Sequence, residues 1–185
     1  LSKIASAINN PISSCYKTLL DALVVASLSP STQNVSSVFR VKARDPIFRE
    51  SMARHPGVLD TLADICVSNS YPAKDRDNSM RALMHLTNED ENRKIMCHKT
   101  VLDALVVGAS LEGRKFEEMR ESAIVALERL ATDHSNRPRM ARHSGLLTAV
   151  AKCTEVEAKL DDADVKVTTH DRLAKPLLMS LLLAL

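Results

Sequence analysis

Apolar residues recur along this chain at helical spacing, and whole blocks of them then recur at a longer interval. The stretch Ser79 to Ala109, SMRALMHLTNEDENRKIMCHKTVLDALVVGA, is the reference block. Forty-four residues on, Ala126-Leu127-x-x-Leu130 repeats Ala82-Leu83-x-x-Leu86, Asn136-Arg137 repeats Asn92-Arg93, and Met140 repeats Met96. The same step taken backwards from Met96 reaches Met52. A period of 44 residues lies within the roughly 40 to 47 found in stacked two- and three-helix arrays.

Within one period the pattern predicts three helices: a short first helix starting near Arg49, Arg93 or Arg137, a second from about Gly57, Thr100 or Gly145, and a longer third over roughly 74–88 and 115–132. In the second helix, Val58, Leu102 and Leu146, then Leu62, Val106 and Val150, then Ile65, Ala109 and Cys153 fall at i, i+4 and i+7. One face is therefore apolar in every copy, and a single unit cannot bury it without neighbours. Lys17 to Val25 is nearly identical to Lys99 to Val107, 82 residues later, and both open Thr-x-x-Asp, which predicts a hydroxyl cap at Thr18 and Thr100. Gly57 and Gly145 fall at the corner between first and second helices, where the missing side chain permits a sharp bend. Val101 stands there in the unit between, so its corner is expected to depend on Thr100.

The register divides residues 1–185 into units of approximately 1–44, 45–88, 89–132 and 133–185, one domain in all. Its edges are less regular. Leu1 to Ile8 reads as the tail of a preceding helix, broken at Asn9, Asn10 and Pro11. In the first unit Lys42 occupies the place of Leu86 and Leu130. In the last, the step from Leu127 reaches Asp171, and the apolar helix Leu173 to Leu185 follows about ten residues late, behind an acidic insertion from Glu155 to Thr169 that reads as a surface loop or a helix extension.

Composition narrows the class. Four glycines, no Trp and 3% aromatics leave little turn or strand chemistry, while 45% hydrophobic residues supply an ample core. A net charge of +2 does not by itself imply nucleic acid or an anionic membrane. Cys15, Cys66, Cys97 and Cys153 form no C-x-x-C pair, and each sits in an apolar helical pattern as a core residue. The apolar run Leu177 to Leu185 is far short of the roughly 20 residues a membrane span requires. A start at Leu1 without a leader-like stretch points to a segment of a longer chain in an intracellular setting, cytoplasmic or nuclear.

The order Ala-Leu-x-x-Leu, Asn-Arg, a Met in a short helix, then Gly-x-Leu opening the next helix resembles the armadillo repeat, from Lys17 to near the end of the chain. The resemblance implies an all-α, right-handed α-solenoid of about four three-helix units. It implies a non-enzymatic scaffold for protein–protein interaction, with an extended peptide or partner surface held in a concave groove lined by the third helices. In armadillo proteins of the importin-α and β-catenin kind, an Asn before the last Leu of Ala-Leu-x-x-Leu grips the peptide backbone, with a Trp one turn earlier. Here the Asn places hold Val41, His85 and Arg129 and the Trp places hold Ser37, Arg81 and Val125, so nuclear-signal binding is not expected.

The candidate ligand-facing residues are instead Arg44, Arg81, His85 and Arg129, whose charge and forked donors suit an acidic or phosphorylated segment. Asp77 and Glu121 lie one turn away and are placed to neutralise the arginines. The alternatives are nucleic-acid or anionic-surface binding through Arg40, Lys42, Arg44, Arg49 and Arg54, disfavoured by the lack of stacking aromatics, or a structural or regulatory segment of a larger enzyme.

Other chemistry finds no seat in the pattern. His55 and His143 are 88 residues apart, two full steps, with His98 near the same corner, and places repeated at unit spacing cannot share one ion. Asp161, Asp162 and Asp164 lack the Gly and Glu of a Ca²⁺ loop. No phosphate loop, G-x-S-x-G elbow or H-E-x-x-H pair occurs, so no catalytic residue, metal ligand or cofactor is assigned. Met52, Met96 and Met140 read as core. Arg49, Arg93 and Arg137 could pair with an acidic residue of the adjoining unit or face a ligand, the first being the simpler use. The apolar final helix is a candidate surface for self-association.

Overall fold

The computed structural model describes residues 11–29, 34–160 and 169–184, and among them it is all-α, with no strand. The helices are α1 (Pro11–Ser27), α2 (Val35–Arg44), α3 (Pro46–Arg54), α4 (Val58–Val67), α5 (Ala73–Leu86), α6 (Asp90–Met96), α7 (Lys99–Ala109), α8 (Glu117–Thr132), α9 (Arg137–Ala141), α10 (Leu146–Leu160) and α11 (Thr169–Leu182), with a 3-10 turn at Arg114–Phe116 before α8. Residues 1–10, expected to end a preceding helix, lie outside the described residues, as do Asp161, Asp162 and Asp164.

Local chemistry sets the helix starts. Asp45 accepts a hydrogen bond from Ile47 N (3.0 Å) ahead of Pro46, whose fixed φ and missing N–H suit a first helical turn. Gly57 (φ 84°) and Gly145 (φ 81°) adopt the left-handed conformation immediately before α4 and α10, as the corner reading requires. The hydroxyl caps are a correction. Thr18 lies well inside α1, where its hydroxyl donates to Ser14 O (3.1 Å). Thr100 is the second residue of α7, whose N-cap is His98 in extended conformation with no side-chain cap bond. Extended backbone at His98 turns the corner there without a left-handed residue.

The helices pack in rows. Helix α4 lies between α1 and α7, and α7 also packs on α10; in a parallel row α5 lies between α2 and α8, with α11 beyond α8; the short helices α3 and α6 also touch. Three columns of buried side chains run through these rows at the 44-residue step: Phe39, Leu83 and Leu127; Val58, Leu102 and Leu146; Met52, Met96 and Met140. Each such side chain contributes roughly 1.5–3 kcal/mol by leaving water. Gly108 adds a close approach, because a Cβ there would lie 2.5 Å from the Met80 methyl and 3.0 Å from Ala123 Cβ.

The irregular ends have physical explanations. Lys42 does take a leucine place, but the next residue, Ala43, is buried instead, and the Lys42 ammonium sits 4.6 Å over the ring of Phe48. Phe48 in turn stacks on Tyr16 with ring centroids 4.4 Å apart. At the other end α10 continues to Leu160, so the first part of the acidic insertion extends a helix. Helix α11 buries Ala174, Leu177 and Leu181 and leaves Met179, Leu182 and Leu183 exposed. Three of the four cysteines are buried as expected, whereas Cys15 is exposed.

Candidate binding face

The arginines of this protein divide into those bound to its own backbone and those that are not. The last carbonyls of a helix have no intrahelical partner. Arg49 fills that need for α2, its Nε donating to Ala43 O (3.0 Å) and its Nη2 to Arg44 O (2.8 Å). Arg93 does the same for α5, through Thr87 O (2.9 Å) and Asn88 O (3.2 Å), and Arg137 for α8, through Ala131 O (2.7 Å). Arg49 Nη1 also reaches Glu89 Oε1 at 2.9 Å, the acidic partner forty residues on, and Arg93 Nη1 reaches Asp90 (2.7 Å) and the Thr132 hydroxyl (2.9 Å). The Arg49, Arg93 and Arg137 ladder is therefore structural, and no donor set is left to face a ligand as a group.

The residue before each arginine completes the joint. Asn92 is buried, and its Nδ2 donates to Leu86 O (3.0 Å) and to Arg49 O of the preceding short helix (3.1 Å). Asn136 Nδ2 donates to Leu130 O and Arg93 O, both at 3.0 Å. Two further ties were not read from the sequence. Arg76 Nε holds Cys66 O (2.9 Å) at the end of α4, and Arg120 Nη1, 44 residues later, holds Leu111 O (2.9 Å) beyond the end of α7. Their common step of 44 was the available signal.

The four candidate residues on the third-helix row do not behave alike. Arg81 is neutralised: its Nε donates to Asp77 Oδ2 at 2.8 Å and its Nη2 is paired with Glu118. Asp77 acts as expected, whereas the second carboxylate is Glu118 and not Glu121. Arg129 reaches the chain next to His85, while Arg44 is exposed at the end of α2. Burial in the first place, and then the positive charges of Arg49, Arg129, Arg44 and Arg40, hold the His85 imidazole below its ordinary pKa. Arg129 spans the gap between α8 and α5, its Nη1 donating to Met84 O at 3.1 Å, the carbonyl next to His85. Burial, with Arg93 and Arg49 nearby and Glu128 opposing, lowers the Arg129 guanidinium itself. Arg40, assigned from sequence only to the alternative basic patch, also adds to the positive charge that acts on His85. Among the described residues no carboxylate forms an ion pair with Arg40, Arg44 or Arg129. Val41, one step before His85, is exposed beside them.

The rest of the basic N-terminal set is engaged. Lys42 lies over Phe48, Arg49 pairs with Glu89, and Arg54 pairs with Glu50 (3.0 Å). The corner histidines are tied to helices rather than to each other. His55 Nε2 is 3.1 Å from Asp21 Oδ1 on α1, and His143 Nε2 is 3.1 Å from Asp103 Oδ1 on α7. The His55 contact is not an aligned hydrogen bond, since its buried Nε2 has no hydrogen-bond partner. Asp103 also accepts from Lys99 (2.6 Å), and that bond holds its carboxyl below the usual carboxylate range. The 82-residue identity of Lys17–Val25 and Lys99–Val107 thus carries the aspartate that meets a histidine of the following corner. Among the described residues no three His, Cys, Asp or Glu side chains come together as a metal site. Burial raises the Cys66 thiol and pushes that of Cys97 up to about 11, so neither is a ready nucleophile. No described helix is long and apolar enough to cross a membrane.

Among the described residues these features define an all-helical protein. No protein-family model matches the chain, and no curated protein is significantly similar to it.

Proposed function

We propose that this chain is an armadillo-like, right-handed α-solenoid of about four units that acts as a non-enzymatic scaffold, holding an extended acidic or phosphorylated segment of a partner protein along its third-helix face. The columns of buried side chains and the Asn-Arg joints at the 44-residue step support the architecture. One observation carries the functional reading: among the described residues Arg40, Arg44 and Arg129 form no ion pair with a carboxylate, while Arg81 on the same row is doubly paired. Guanidinium groups left without an anion favour one from outside, each charged hydrogen bond contributing about 1.5–3 kcal/mol where it is shielded from water, as at the half-buried Arg40 and Arg129.

The cationic contacts come from Arg40, Arg44 and Arg129, with Arg81 bound to its own carboxylates. Nucleic-acid binding is the weaker alternative, because three of its five basic residues are already occupied. The test is the double reversal Arg44→Glu with Arg129→Glu, titrated against matched acidic and basic peptides by fluorescence anisotropy. Loss of acidic-peptide binding in the variant is expected. Unchanged binding, or preference of the unaltered protein for the basic peptide, contradicts the reading.

A further inference from the structure

The guanidinium forks of the three seam arginines do not end alike. Arg49 Nη1 meets Glu89 and Arg93 Nη1 meets the Thr132 hydroxyl, acceptors that stand 40 and 39 residues further on. The same steps from Arg137 reach Leu177 and Pro176, whose side chains accept nothing. Arg137 keeps its Nε bond to Ala131 O (2.7 Å), and among the described residues its two Nη groups have no partner. It lines a cleft of about 170 Å³ where α8, α9 and α11 meet, with Ala131, Pro176 and Leu177 as the apolar wall. Three other polar side chains line the same cleft. The Thr132 hydroxyl is already engaged, donating to Arg129 O (2.6 Å) and accepting from Arg93 (2.9 Å). Glu128 is half-buried and, among the described residues, forms no ion pair. Ser180 Oγ is shut away from solvent without a hydrogen-bond partner, a state that disfavours the empty cleft.

We infer that this cleft takes the primary carboxamide of a glutamine or asparagine side chain on a partner protein, its oxygen accepting from Arg137 and its NH2 group donating to Glu128 and Ser180. The charges select the ligand. A carboxylate would satisfy Arg137 but bring its charge against Glu128, and an ammonium would satisfy Glu128 but meet Arg137, each a like-charge contact in a partly closed site. A carboxamide is neutral, with two lone pairs on one atom and two donors on the other, so it serves both groups at once. Its aliphatic stem lies on Pro176 and Leu177. Beyond the cleft, Pro176, Met179, Ser180 and Leu183 fall at i, i+3, i+4 and i+7, one face of α11 and of the turn that ends it. Met179 and Leu183 on that face are 55% and 85% exposed, which offers an apolar residue of the same partner segment a place beside the amide. The site stands apart from the arginines of the third-helix face and does not depend on what that face binds.

The probe is a short peptide with glutamine and leucine two residues apart, made also with glutamate or methionine in the glutamine place, titrated into the chain and followed by the amide NMR signals of Arg137 and Ser180. The glutamine form is expected to bind about tenfold more tightly than either other form, the worth of one charge-assisted hydrogen bond. Glu128→Gln removes the carboxylate and keeps its shape, so the order should invert and the glutamate form bind best. Such an inversion cannot come from loss of the fold. Leu183→Asp, at a position already exposed, should weaken all three forms alike. Equal binding of the three peptides, preference of the unaltered protein for glutamate, an unchanged order in Glu128→Gln, or titration without movement of the Arg137 and Ser180 signals overturns the inference. An effect of Leu183→Asp on none of them removes the apolar contact along α11. Signals of the cleft that move with protein concentration alone assign it to a second copy of the chain and likewise overturn the inference.

Discussion

Arg93 and Arg44 are the same residue type at different places in one helical array, and they have opposite fates. Arg93 sits six residues after Thr87, just beyond the end of α5, so the unpaired carbonyls of Thr87 and Asn88 lie within reach of its fork, and Thr132 and Asp90 take a remaining donor. Arg44 is the last residue of α2, and its side chain is exposed and forms no ion pair. The seam of Asn-Arg joints is saturated by backbone. On the face, Arg44 has neither a carbonyl nor a carboxylate partner among the described residues. Position relative to a helix end, and not residue type, decides whether an arginine holds the fold together or remains open to a partner.

The sharpest way to break that comparison is to remove a seam residue and a face residue and measure both by urea unfolding. Asn92→Ala strips the donor from two carbonyls in a buried site, and a loss of about 2–3 kcal/mol is expected. Arg44→Ala should change stability by no more than about 0.5 kcal/mol, as an exposed side chain outside any network does. Equal losses would erase the distinction between seam and face.

The double reversal Arg44→Glu, Arg129→Glu tests the other half. It should weaken acidic-peptide binding at least tenfold, about 1.4 kcal/mol, while the melting temperature falls less than that of Asn92→Ala, since only the one Arg129 bond to Met84 O is lost. A melting temperature falling as far as that of Asn92→Ala would make the face structural after all. A smaller effect sharpens the description of the seam: Gly57→Ala forces a side chain into the left-handed region and should cost about 1 kcal/mol, although the nearest atom, Val24 Cγ1, would be at an ordinary 3.5 Å. If Gly57→Ala is neutral, the corner does not need its glycine.

The smallest expected effect concerns pH in the absence of peptide. The His85 pKa is lower in the folded than in the unfolded chain, so below about 6.5 the unfolded chain binds the extra proton and stability falls with falling pH. His85→Asn should remove that part of the slope between pH 7 and 5. An unchanged slope would mean that the arginines do not act on His85 in solution.

Much of this was legible in the chain, for a reason that also explains the failures. Residues repeated at a fixed step are those whose surroundings repeat, so Met52, Met96 and Met140, the glycine corners and the Asn-Arg pairs announced themselves. Whether a donor meets its acceptor depends on side-chain reach across helices, which no one-dimensional register contains. Arg81 and Arg129 lie 48 residues apart in similar sequence, yet Glu118 is within reach of the first, while the second finds only the Met84 carbonyl. The thread from Thr18 and Thr100 failed because helices α1 and α7 begin earlier than a cap reading allows, with Pro11 and Lys99 as their first residues. Arg76 and Arg120 escaped notice because a lone repeated arginine has no local pattern to draw the eye.

The Asn joints act on carbonyls, and every residue type has one. Asn92 holds the main chain of Arg49 and Leu86, and Asn136 holds that of Arg93 and Leu130, so neither join depends on which side chains stand opposite. A connection of this kind is blind to its neighbour's sequence. Helix triplets joined in this way can diverge, be copied or be exchanged as cassettes without a matching change across the boundary, and the surface they present can vary freely while the joinery stays the same.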